Sequence, residues 1–77
     1  MEQSNIASEM AVRIRGQLRT LRAEAGTNVR IADIMRALPG FTCAEIMEGV
    51  NQGVIQGWWW NSPMGRIQPT EAGIRSD

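Results

Sequence analysis

Trp58-Trp59-Trp60 places three of the chain's four aromatic side chains at consecutive positions, and no regular backbone buries three successive side chains on one face. In a strand, alternation sends Trp58 and Trp60 to one side and Trp59 to the other. A chain of 77 residues has room for one modest core, because a domain of this size buries roughly 60–65% of the surface its unfolded form exposes. One side of the tryptophan segment therefore completes the core. The other either lies along the surface without a role or serves as a contact face, since tryptophan is enriched among residues that carry binding energy.

Other means of stabilising so small a chain are few. Cys43 is the sole cysteine, which excludes an internal disulfide, and the absence of histidine deprives a zinc site of its usual ligands. No metal and no cofactor is expected, and self-association, as a homodimer, becomes the expected aid to stability. Catalysis is thinly provided for: the chain lacks His, Lys and Tyr, Cys43 has no histidine to act as its base, and no glycine-rich phosphate loop occurs. It reads as a protein without enzymatic activity, and no catalytic residue is nominated. No segment approaches the roughly 18 apolar residues of a membrane span, and residues 1–5 carry no basic region ahead of an apolar run. A cytoplasmic protein with no membrane partner is expected.

Periodicity places the elements. Ile6, Met10, Ile14, Leu18, Leu21 and Ala25 recur at steps of three or four, which predicts a helix over residues 5–25, capped by Ser4 or Asn5 and stopped by Gly26. On that helix Arg15, Arg19 and Arg22 fall within about 60° of one another, forming a basic stripe. Ile31, Ile34, Met35 and Leu38 predict a second helix over residues 30–38, ended by Pro39, with Val29 in a brief strand before it. Thr42 followed by Glu45 reads as a capping box opening a third helix over residues 42–52, with Ile46 and Val50 facing the core and Gly53 as its stop. From residue 54 the β-branched and aromatic run, the turn-rich Asn61-Ser62-Pro63-Met64-Gly65 and the returning Arg66-Ile67-Gln68 predict a β-hairpin over residues 54–69. A turn or helical cap at residues 70–73 and a frayed tail at 74–77 complete a single α+β, mostly helical domain.

Three helices followed by a hairpin is the plan of the winged helix-turn-helix family of DNA-binding domains, and two segments carry a likeness to it. Residues 42–55, with a polar cap, apolar residues four and eight positions on, a glycine and two aliphatics, resemble that family's recognition helix running into its wing. Arg66-Ile67-Gln68-Pro69-Thr70-Glu71-Ala72-Gly73 is similar to the threonine-to-glycine segment that closes the wing in many bacterial regulators. The resemblance implies a three-helix winged helix-turn-helix with a two-stranded wing, binding double-stranded DNA in transcriptional or replication control. Thr42, Cys43, Met47 and Asn51 on the third helix, with Asn61, Ser62 and Arg66 on the wing, are the DNA-contact candidates that it implies.

Charge departs from this plan. Residues 1–40 hold six arginines and four acids, whereas residues 41–77 hold two arginines and four acids, so the reading half is net negative. Phosphate attraction supplies much of the affinity of DNA-binding proteins. The alternative is a winged-helix fold serving as a protein-binding adaptor or small inhibitor, with Trp58, Trp59, Trp60 and the Arg15, Arg19 and Arg22 stripe as contact surfaces.

Overall fold

The computed structural model describes residues 2–75. Its elements run α1 (Glu2–Thr20), β1 (Val29–Arg30), α2 (Ile31–Ala37), α3 (Cys43–Gln56), β2 (Trp59–Ser62), β3 (Arg66–Pro69) and α4 (Glu71–Ile74). The strands form one antiparallel sheet in the order β1-β3-β2. Helices and sheet enclose a core of Met10, Ala11, Ile14, Leu18, Val29, Ile31, Ile34, Leu38, Ile46, Val50, Trp59 and Ile67. Among the described residues no helix is long and apolar enough to cross a membrane.

The four-residue ladder buries Met10, Ile14 and Leu18 as expected, but α1 is shorter at its C-terminus than the spacing predicts. Arg22 adopts φ 57°, and its amide donates to Arg19 O while the Ala23 amide donates to Leu18 O at 2.9 Å. These paired bonds close a Schellman motif and satisfy the Leu18 and Arg19 carbonyls. Leu21 is consequently 47% exposed, and Ala25 lies in the loop beyond. At the other end the helix already includes Ser4 and Asn5, which therefore do not cap it. Gly26, the expected stop, serves instead in the return to the sheet: its amide donates to Pro69 O at 2.9 Å.

The brief strand at Val29 is present and pairs with β3, Val29 opposite Ile67 and Arg30 opposite Arg66. After α2 and its Leu38-Pro39-Gly40 stop, Thr42 caps α3. The Thr42 hydroxyl accepts from the Glu45 amide at 3.1 Å, and the Thr42 amide donates to Glu45 Oε1 at 2.8 Å. This reciprocal capping box is the one expected from the Thr42-to-Glu45 spacing. Arg13 lies over the Phe41 ring at 5.2 Å and so ties α1 to the link between α2 and α3.

Helix α3 passes the predicted stop at Gly53 and ends at Gly57, whose φ of 79° is the left-handed turn. Gly53 is a packing residue, because a Cβ there would penetrate the Trp59 indole. Val54 and Ile55, expected in a strand, are therefore helical, and the hairpin spans residues 59–69 rather than 54–69. Beyond it, Ile74 and Arg75 are held rather than frayed, since Ile74 closes α4 and the Arg75 amide donates to Glu71 O at 3.0 Å. Residues 76 and 77 of the expected tail lie outside the described residues.

Candidate functional site

Three surfaces hold the nominated side chains: the outward face of α3, the hairpin, and the junction of α1 with α4. On α3 the buried Ile46, Gly49, Val50 and Gly53 fix the inner face, so Ala44, Glu48, Asn51 and Ile55 form the outward stripe at steps of four, three and four. All four are exposed, Ile55 at 77%. Cys43 and Thr42 are exposed at the N-terminal end, although the Thr42 hydroxyl is engaged in its cap. No arginine lies on α3, so its stripe offers one amide and one carboxylate and no cation.

Met47 leaves this stripe. It is half-buried and lines an open apolar groove of about 380 Å³ together with Ile31, Ala32, Met35 and the hairpin's Met64. Arg30 also lines this groove, so Met47 is partly covered between α2 and the hairpin tip.

In the hairpin, Ser62 pairs with Arg66 and flanks the turn of Pro63, Met64 and Gly65. Met64 and Gly65 both take positive φ, 65° and 71°, so the turn is tight and the exposed Met64 stands at its tip. Asn61 is exposed, while the Ser62 hydroxyl donates to the Asn28 side-chain oxygen at 3.1 Å. Arg66 is half-buried at the base of the turn, opposite Arg30.

The three tryptophans have three different environments. Trp59 is fully buried, and its indole Nε1 donates to Val50 O at 2.8 Å, so it is a core residue and not a contact surface. Trp60, its neighbour in β2, faces outward and is 59% exposed, as strand alternation requires. Trp58 precedes the strand, half-buried, with the Arg15 guanidinium 4.7 Å above its ring. Strand alternation therefore does not place it with Trp60.

The arginine stripe of α1 is divided, with Arg15 half-buried and Arg19 and Arg22 exposed. Arg15 donates through Nε to Gly73 O at 3.1 Å and through Nη2 to Ala72 O at 3.0 Å and Arg75 O at 2.8 Å. Arg19 also donates to Arg75 O. These cations hold the carbonyl end of α4, where the helix dipole places partial negative charge. Arg22 belongs to the α1 terminus and is exposed. Arg15 and Trp58 thus clamp α1 to α4 and the start of β2, while Arg19 and Arg22 of the stripe stay exposed.

Two residues that sequence reasoning passed over, Arg30 and Gln68, join Arg66 and Trp60 across the sheet. Their grouping depends on pairing between segments far apart in the chain, which local spacing does not encode. Among the described residues no three His, Cys, Asp or Glu side chains form a possible metal-binding group. Comparison with known proteins finds no matching family model, no matching curated protein and no matching solved structure.

Proposed function

We propose that the chain is a winged helix-turn-helix domain that binds double-stranded DNA in transcriptional or replication control. The observation that supports this reading is topological. Two helices joined by a short link precede a hairpin, and the hairpin's returning strand pairs with a strand set between the first and second helices, giving the order β1-β3-β2. In this reading α3 enters the major groove, Asn51 meets base edges, Glu48 accepts from cytosine, and Arg66 anchors the wing on a phosphate. Titration of labelled duplex DNA at several salt concentrations tests it, with Asn51→Ala and Arg66→Ala each expected to weaken binding.

A second reading, an adaptor or inhibitor that binds another protein, is favoured by the absence of any cation from the outward stripe of α3 and by the exposed apolar side chains of Ile55, Trp60 and Met64. Homodimer formation through α1 or the tryptophan strand is compatible with either reading. A folded chain that leaves duplex DNA unbound at low salt selects the second reading over the first.

A further inference from the structure

The outer face of the sheet carries a surface chemically unlike α3. Val29, Trp59, Ile67 and Pro69 are buried, so their strand neighbours Arg30, Trp60, Arg66 and Gln68 face the other way. Arg66 in the middle strand lies between Arg30 of β1 and Ser62 of β2, and Gln68 pairs with Trp60. Asn28 reaches the same face, where its side-chain oxygen accepts from the Ser62 hydroxyl at 3.1 Å. One exposed indole is thus set among two guanidinium groups, two amides and a hydroxyl.

Charge on this face is unbalanced. Like charges directly opposite one another across strands repel, and Arg30 faces Arg66 in register. Asp33 gives partial relief, its Oδ2 lying 3.4 Å from Arg30 Nε, but it is shared with Arg36, whose Nη1 lies 3.8 Å from Oδ1. Arg66 makes no ion pair among the described residues. An anion placed between Arg30 and Arg66 removes their repulsion, and Trp60 stands 59% exposed on the same face.

We propose that this face binds an unpaired DNA strand, with one base stacked on Trp60 and the flanking phosphates held by Arg30 and Arg66. A base in a duplex has both faces covered by its neighbours, whereas an unpaired base has one free to meet an indole. Gln68 Nε2 is already committed to Gly26 O at 2.8 Å, which leaves its amide oxygen to accept from a base edge. The assignment uses no residue of α3 and stands whether or not α3 reads a duplex.

The test is a low-salt titration of the full chain with a fluorescein-labelled oligothymidylate of about twelve nucleotides, with a duplex of equal length as competitor. The expected result is binding with quenched tryptophan emission, weakened about tenfold or more by Trp60→Ala and largely retained by Trp60→Phe. Arg66→Ala lowers the salt dependence by about one phosphate contact. Failure of the duplex to bind at all contradicts the proposed α3 function and leaves this result intact. The inference is overturned if the folded wild-type chain ignores the oligothymidylate, or if Trp60→Ala, folded by circular dichroism, binds as tightly as wild type. A dimer that dissociates in Trp60→Ala, with no oligonucleotide bound, also overturns it and assigns the face to a second copy of the chain.

Discussion

Trp59 and Trp60 are adjacent, chemically identical and opposite in consequence. Trp59 fills the space left by Gly53 and donates its indole proton to Val50 O at 2.8 Å, so its removal creates a cavity and loses a buried hydrogen bond. Trp59→Ala is expected to cost about 3–5 kcal/mol, a large part of the roughly 4–12 kcal/mol that a chain of this length has in total. Trp60→Ala at an exposed position is expected to stay within about 0.5 kcal/mol of wild type. Urea unfolding of both variants checks the pair, and comparable losses would contradict the assignment of Trp59 alone to the core. This division was half legible in the sequence. Alternation separates Trp59 from Trp60, but which side becomes the interior depends on Val50 and Gly53, which approach the strand only after α3 has packed.

At the scale of elements, glycine gives the clearest example of context overriding local preference. Gly53 reads as a helix stop because glycine so often fills that role, yet α3 continues to Gln56 because Gly57 supplies the left-handed turn and Gly53 supplies the room. Gly16, within α1, has open space where a Cβ would stand. Gly16→Ala is therefore expected to stabilise the chain by about 0.5–1 kcal/mol, while Gly53→Ala, despite the same gain in helix preference, is expected to destabilise it by about 1–3 kcal/mol through displacement of the Trp59 ring. Thermal unfolding shifts of opposite sign test this contrast; two upward shifts would sink it. Leu21 and Ala25 misled in the reverse direction, since they continue the apolar spacing of α1 past Thr20, where the helix ends, Leu21 just before the left-handed Arg22 and Ala25 beyond it. A left-handed arginine costs about 1 kcal/mol, so Arg22→Gly is expected to raise the melting temperature by about 4–8 °C, and a lowered one would contradict the terminus described. Thr42 and Glu45, by contrast, were legible because a capping box is wholly local.

Over the whole molecule, the sheet joins what the sequence separates. Val29 and Arg30 form only a two-residue strand, yet their pairing with Ile67 and Arg66 sets the order β1-β3-β2 and brings Arg30, Arg66, Gln68 and Trp60 to one face. Such pairing is non-local, which is why the hairpin was readable from its turn residues while the face it completes was not. The distribution of arginine is equally a property of the whole: Arg15 and Arg19 are drawn onto α4, Arg30 and Arg36 share Asp33, and α3 has none. The proposed duplex binding rests on Arg66 at the hairpin base for its wing contact, and with no arginine on α3 its salt dependence is expected to be shallow for a DNA-binding domain. The most direct measurement is fluorescence anisotropy of a labelled duplex titrated with the full chain across a range of salt concentrations, beginning at low ionic strength. The expected result is binding that weakens as salt rises, with Arg66→Ala reducing the slope by about one. A folded chain that leaves the duplex unbound at the lowest salt would contradict it.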